Sequence, residues 1–455
     1  MDPQLTISVF AGKATKQFLK LRSSGGTAAP GLFSLYLDKN ALKKLSAGLE
    51  RTILVTGTNG KTTTTRLIGN FLEKENISFV HNRAGSNLER GIVSSLLEQT
   101  NFSGQVGKTT GLFEIDEAAL ATTLTKLKPT ILVITNLFRD QLDRYGEVDN
   151  IKRLWEKALV ELPQSTTLVL NADDPTVAYL GKSKAKVIYF GIADETVKLD
   201  EKPTTLDTIV CPVCQGDLEY SAYFSSHQGD YRCSKCDFKR PELDFFAQEI
   251  NFSEGKTQFV IKNKEETTTI ETPLLGLFNV YNALASYSAL KGLELPLTNF
   301  ADVAADFKSV FGRGENLTFN GHQLLVALAK NPTGFNEIIR TYLEKPKQTT
   351  LIVINDKIAD GRDVSWLWDV DFEKLLEKDD FIFTSGLRGA DMALRLKYAG
   401  FKNFENIESL EAALEKATNS LGEGETLTVI PTYTAMLELK QLLAKKGLAG
   451  QFWED

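Results

Sequence analysis

The chain has 455 residues, enough for two or three domains with separate cores, and is 42% hydrophobic and 24% charged, an ordinary globular balance. Its 52 basic and 59 acidic side chains leave a net charge of −7, which argues against a primary nucleic-acid role. No run is long enough to span a bilayer and no signal-peptide pattern opens the chain, so a cytoplasmic protein is expected.

Residues 1–50 form an arm expected to pack on the domain that follows. Within it Ile7 to Leu21 fits an amphipathic helix carrying Lys13, Lys16, Lys20 and Arg22, followed by the loop Ser23 to Thr27. Two readings stand: a solvated helix packed on its neighbour, or a basic edge facing an anionic membrane surface or headgroup.

Arg51 to Asn70 then gives a β-branched run (Thr52 to Val55), a glycine turn, and a helical run with Leu67, Ile68, Phe71 and Leu72 on one face. Strand, Gly-Lys-Thr turn and helix is the architecture of a phosphate-binding loop. The backbone N–H groups of Gly57, Thr58, Asn59, Gly60, Lys61, Thr62 and Thr63 and the helix N-terminus converge where negative charge is stabilised. Lys61 is expected to reach the terminal phosphates of a nucleoside triphosphate and the Thr62 hydroxyl to ligate Mg²⁺. Val55 replaces the first glycine of the general G-x-x-x-x-G-K-S/T pattern, leaving the tighter G-T-N-G-K-T-T form.

From 51 to about 200, strands are expected at Gly111–Ile115, Thr130–Thr135, Thr167–Leu170 and Lys186–Phe190, with helices between. That alternation implies a mainly parallel, doubly wound sheet whose ligands gather at the carboxyl ends of its strands. Glu114 ends one strand and is either a Mg²⁺ ligand, directly or through water, or a surface acid. Asn136 ends the next, followed by Asp140, Gln141 and Asp143, and Asn171-Ala172-Asp173-Asp174 ends another.

Residues 201–250 break this rhythm. Cys211-x2-Cys214, eighteen residues, then Cys233-x2-Cys236 has the spacing of a four-thiolate zinc site on two knuckles, and these are the only cysteines. Four thiolates fill a tetrahedral Zn²⁺, so the site is structural and staples a small insert. Free thiols and an iron centre are the alternatives.

Strands near Thr257–Ile261 and Thr267–Ile270 precede Gly276 to Asn282 and a helix from Ala283 to Leu290. Arg313, flanked by Gly312 and Gly314, fits a linker arginine that contacts phosphate, or a turn with a surface arginine. The central domain is thus drawn at 51–312 and a second α/β domain at 313–455. The latter's strands are expected at Gln323–Leu328, Thr350–Ile354, Asp380–Thr384 and Leu427–Pro431. Asp356 lies just past a strand end in an acid-dense loop with Asp360 and Asp363; such acids serve function or cap turns. With only His81, His227 and His322 in the chain, a histidine-based catalytic apparatus is not expected within it.

Together GTNGKTT at 57–63, Glu114 in EIDE, NLFRDQLDRYG at 136–146, NADD at 171–174, GLFNVYN at 276–282 and GRGEN at 312–316 resemble the ATP-dependent Mur ligase superfamily, in its order. The resemblance implies a ligase that joins an amine to a carboxylate through an acyl phosphate. It implies ATP on Lys61 and the loop, Mg²⁺ on Thr62 and Glu114, adenine at Asn282, and the γ-phosphate at Arg313. It also implies a central P-loop domain with a mainly parallel sheet and a C-terminal Rossmann-like α/β domain.

Four departures narrow the branch. Only fifty residues precede the loop, where a UDP-sugar domain usually stands. The usual D-H-L-D reads Asp140-Gln141-Leu142-Asp143; the carbamylated lysine falls near Glu156 or Lys157; and D-Y-A-H reads Ala327-Leu328-Ala329-Lys330. Folylpolyglutamate synthases and the MurT subfamily both lack the first domain. The four cysteines and NDKIADGRDVSWLWD at 355–369 look like the MurT subfamily. That resemblance implies amidation of the D-glutamate α-carboxylate of lipid II, in peptidoglycan synthesis at the inner face of the cytoplasmic membrane. Ammonia would come from a GatD-type glutaminase in a heterodimer, whose catalytic triad Asp356 completes, with Asp360 and Asp363 as lesser candidates. The rival readings are an amino-acid-adding ligase of folylpolyglutamate synthase type, and a nucleotide-gated zinc-ribbon binding module without catalysis.

Overall fold

The computed structural model describes residues 2–21, 28–82, 86–107, 110–138, 148–182, 186–204, 208, 210–253, 255–308, 312–343, 347–378 and 380–448. The expected positions Arg22 to Thr27, Asp140, Gln141 and Asp143 lie outside them.

The strands are β1 Arg51–Thr56, β2 Phe79–His81, β3 Thr110–Glu114, β4 Ile131–Ile134, β5 Thr167–Asn171, β6 Lys186–Ile192, β7 Leu218–Ser225, β8 Gln228–Cys233 and β9 Phe245–Ser253. They continue as β10 Lys256–Lys262, β11 Thr267–Thr272, β12 Arg313–Phe319, β13 His322–Ala327, β14 Thr349–Val353, β15 Phe381–Ser385, β16 Phe404–Asn406 and β17 Thr426–Pro431. Nine of them form one sheet in the order β11-β10-β9-β6-β5-β4-β1-β3-β2. It is parallel from β2 to β9, and β10 and β11 close one side antiparallel.

Burial on both faces explains the unbroken apolar strands of this sheet. Ile53, Val55, Ile131 and Val133 face a core shared with helices Lys61–Lys74 and Leu277–Gly292. Leu54, Leu132 and Ile134 face the opposite core, with helices Glu89–Gln99, Glu117–Lys126 and Val148–Val160. A one-residue slip would exchange the two sets, so the register is tightly specified.

The C-terminal sheet runs β12-β13-β17-β14-β15-β16 and is parallel apart from the β12–β13 hairpin. Ile352 and Ile354 serve one of its cores and Leu351 and Val353 the other. No helix among the described residues is long and apolar enough to cross a membrane.

Three details differ from the sequence reading. The arm holds three helices, Pro3–Leu21, Ala29–Leu37 and Ala41–Ser46, where one was expected. The cysteine insert is shorter than 201–250, because β9 already belongs to the main sheet from Phe245. Arg313 opens β12 instead of lying in a linker.

Candidate active site

The nucleotide loop is shaped by what stands behind it. Gly57 (φ +131°) and Gly60 (φ +87°) adopt conformations that side chains resist, and a Cβ would overlap Thr135 Oγ1 at the first and Asn282 Oδ1 at the second. The end of β4 clamps the turn. Asn59 N–H donates to Asn136 Oδ1 (2.8 Å), Asn136 Nδ2 donates to Asn59 O (3.1 Å), and Phe138 N–H donates to Thr58 Oγ1 (3.0 Å). Asn136 is therefore a brace for the loop. No side chain caps the helix that starts at Lys61, so its first N–H groups are left for an anion. Glycine cradle, uncapped N-terminus and lysine fit the phosphates of ATP.

Lys61 is buried, and its Nζ donates to Gly57 O (2.5 Å), Thr58 O (3.1 Å) and Glu117 Oε2 (2.9 Å). Burial alone would raise the Glu117 carboxyl, yet the charges of Lys61 and Lys330 hold it below its usual range. Trp155 donates from its indole to Glu117 O (2.9 Å) and fixes that helix start from behind. Glu117 was not singled out in the sequence; its only signal is its place three residues after Glu114 at the start of a helix.

Pairing of Val55 with Glu114 brings Glu114 out at the same sheet edge as the loop. Asn82 secures that backbone, accepting from Glu114 N–H (2.9 Å) and donating to Glu114 O (2.8 Å). Arg313 crosses from the C-terminal domain and donates from Nη2 to Thr62 Oγ1 (3.1 Å). Burial lowers the pKa of its guanidinium while the charge of Glu114 raises it. Arg313 thus joins Thr62 by a hydrogen bond and Glu114 by charge, and hydroxyl and carboxylate oxygens are the donors Mg²⁺ prefers. Asn331 caps helix Pro332–Tyr342 and donates to Asn59 Oδ1 (3.3 Å), a second contact between the C-terminal domain and the loop.

Other expected positions take structural roles. Asn282 is buried beneath Gly60, donating to Asn279 Oδ1 (3.0 Å) and accepting from Thr64 (3.4 Å). Thr63 is buried in the first helical turn. Asp173 is fully buried, receiving Arg240 Nε (2.7 Å), Tyr281 Oη (2.6 Å) and Ile192 N–H (2.8 Å), and burial pushes its carboxyl up. Asp174 receives Leu137 N–H (2.8 Å) and faces His227 Nε2 (3.3 Å) at the tip of the β7–β8 hairpin. This pair knits the insert to the loop region. Glu156 faces Tyr179, and Lys157 is exposed.

The four cysteine sulfurs lie within 4.8 Å of one another, Cys211–Cys236 at 3.7 Å and Cys214–Cys233 at 3.5 Å. Tetrahedral Zn–S bonds of about 2.3 Å put sulfurs about 3.8 Å apart, so the cluster fits a metal ion. Val213 and Lys235 N–H groups donate to Cys211 and Cys233 sulfur (3.4 and 3.3 Å), as knuckles require.

Geometry separates the three acids of the 355–369 loop. Asp360 is 6% exposed and accepts from Lys357 N–H (3.1 Å), Thr434 N–H (2.7 Å) and the Thr434 hydroxyl. Asp363 caps Ser365 N–H (2.8 Å). Asp356, with its side chain 21% exposed, receives both Arg388 Nε and Nη2 on Oδ2 (2.8 Å each). Its Oδ1 has no partner among the described residues. Ile358, just after Asp356, and Leu387, next to Arg388, stand exposed.

A nucleotide loop clamped between a mainly parallel domain and a C-terminal α/β domain defines a Mur-type ligase. The Mur ligase middle domain family model matches residues 55–221 and 211–290, and the MurT ligase C-terminal model matches 328–436. The chain belongs to the MurT family. It is 33% identical over 98% of its length to the lipid II isoglutaminyl synthase (glutamine-hydrolyzing) subunit MurT of Streptococcus pneumoniae, covering 99% of that protein. The Staphylococcus aureus subunit of the same name is 31% identical, with 98% of this chain and 99% of that protein covered. Among solved structures, a pseudomurein peptide ligase type C from Methanothermus fervidus has a TM-score of 0.67 at 22% identity, covering 87% of this chain and 79% of its own. A Mycobacterium tuberculosis folylpolyglutamate synthase has a TM-score of 0.61 at 14% identity, covering 96% and 98%. These two likenesses concern the fold.

Proposed function

We propose that the chain is the synthetase subunit of an ATP- and glutamine-dependent amidotransferase that converts the α-carboxylate of D-glutamate in lipid II to the amide. The observation that carries this reading is Asp356, a partly exposed carboxylate held by Arg388 at a strand's carboxyl end, with one oxygen left without a partner among the described residues. A GatD-type glutaminase docked there would find an acid oriented to hold its histidine. Ile358 and Leu387 offer that partner apolar contact.

On the synthetase side, a substrate carboxylate oxygen attacks the γ-phosphorus and ADP leaves. Ammonia then adds to the acyl carbon, phosphate departs and a proton is lost. Lys61, Arg313 and the uncapped helix N-terminus neutralise the transferring group, so positioning and charge carry the step. Mg²⁺, held by Thr62 and Glu114, would offset phosphate charge. Asn282 braces Gly60 from beneath the loop, and on this reading it is also the adenine contact. The four thiolates hold Zn²⁺ and give the insert its fold. On this reading the enzyme works in the cytoplasm, at the inner face of the membrane, where ATP and a lipid-linked substrate meet.

The folylpolyglutamate synthase reading has the fold in its favour but accounts for neither the cysteine hairpin nor the match over 328–436. Purified chain with ATP, Mg²⁺, lipid II and high ammonium should give amidated lipid II and ADP without any glutaminase. No amidation, with glutamate added to folate instead, would sink the proposal.

A further inference from the structure

We propose that helices Pro3–Leu21 and Ala29–Leu37 form a docking element that seats its outer face in an anionic phospholipid leaflet. The two helices run antiparallel: Gln4 Nε2 donates to Leu37 O (3.1 Å), Ser8 and Ser34 hydroxyls pair (2.6 Å), and Gly12 lies against Pro30 O. Both rest on helix Glu89–Gln99, with Leu5, Val9 and Gly12 inward on the first and Pro30, Gly31 and Ser34 inward on the second.

At 100° per residue, the opposite face of the first helix carries Ile7, Phe10 and Phe18, and that of the second Leu32, Phe33 and Tyr36. These outer faces should be polar if they met only water. Instead Ile7 is 60%, Phe10 64% and Tyr36 84% exposed, and Ala29–Leu37 contains no charged residue. Seven of the 21 large apolar side chains left exposed among the described residues fall between positions 7 and 37. Scattered exposed apolar residues need no explanation, but a layer of two adjacent helices does.

Charge selects the occupant. Residues 1–50 carry seven Lys and Arg against three Asp and Glu, a net +4 in a chain of −7. Lys39 and Lys43 are exposed just past the second helix. A second copy would set like charge against like charge, whereas an anionic leaflet satisfies both the apolar face and its basic border.

The inference deepens the proposed membrane site of action, but its test needs no lipid II. The full chain should float with vesicles of phosphatidylglycerol and phosphatidylcholine, less with phosphatidylcholine alone, and less at high salt. Phe10→Ser/Phe33→Ser/Tyr36→Ser should weaken vesicle binding by roughly tenfold or more, and Lys39→Glu/Lys43→Glu by about fivefold per lysine. Both variants should keep ammonium-driven amidation of lipid II in detergent micelles, which shows that they fold. The proposal is overturned if the variants bind vesicles as the parent does, or if the parent binds only vesicles that contain lipid II. It is equally overturned if the parent ignores vesicles and the triple variant instead loses self-association or its glutaminase. Failure of the parent to amidate lipid II in micelles would strike the proposed activity and leave the vesicle result standing.

Discussion

Arg313 Nη2 lies 3.1 Å from Thr62 Oγ1, so the first strand of the C-terminal sheet is tied to the first turn of the nucleotide loop's helix. That contact makes the site a product of two domains. Arg313→Ala should lower kcat roughly 10²–10³-fold with ammonium as donor, the scale of one lost transition-state charge contact. A loss confined to glutamine-driven turnover would place Arg313 elsewhere.

Lys61→Ala should abolish amidation even at saturating ammonium while the melting temperature in the absence of nucleotide shows a folded chain. Product release of ADP, followed by coupled assay, is the readout. Retained activity would dismiss the phosphate role of the loop.

Glu117→Gln leaves Lys61 without its buried counter-charge and should cost about 3–5 kcal/mol at pH 7. The sign with pH follows from a folded pKa held below that of the unfolded chain. The stabilisation is fully present above the unfolded carboxylate value, about 4.3, and is lost as pH falls through the lower folded value. The gap in melting temperature between parent and variant should therefore narrow on acidification. A gap that widened would contradict the pairing.

The purified chain should hold one Zn²⁺, released by a thiol-modifying reagent. Cys214→Ser/Cys236→Ser should lose it and melt at lower temperature, because the β7–β8 hairpin is anchored to the main domain through His227 and Asp174. Metal-free protein with unchanged melting would make the cluster incidental.

Much of this was legible in the sequence where one strand or one turn carries the information. The strands around Thr167–Leu170 and Leu427–Pro431 announce themselves because both faces are buried and every residue is apolar or small. The loop and cysteine spacings are local chemistry, and local chemistry survives without coordinates. β9 was missed because its alternating, partly exposed FFAQEINFS fits the edge of an insert as well as a main-sheet strand. Glu117 and Arg388 were missed because each matters through a residue far away in sequence, Lys61 and Asp356. The three aspartates of the 355–369 loop differ in burial and partners, and composition does not reveal either.

Arg388→Ala should weaken glutamine-driven amidation less severely than loss of Asp356 itself, since Arg388 orients that carboxylate without replacing it. Asp360→Ala removes one bond to Lys357 within the loop and two that tie the loop to Thr434, and should destabilise the domain by about 1–3 kcal/mol. A stable Asp360→Ala chain with selectively lost glutamine turnover would transfer the partner-facing role to Asp360.

The most direct test is Asp356→Asn in the reconstituted complex, comparing glutamine and ammonium as donors. Glutamine-driven amidation should fall to background, with ammonium-driven amidation and complex assembly unchanged. Equal loss of both reactions would put Asp356 in the synthetase site or in folding, and would contradict the account.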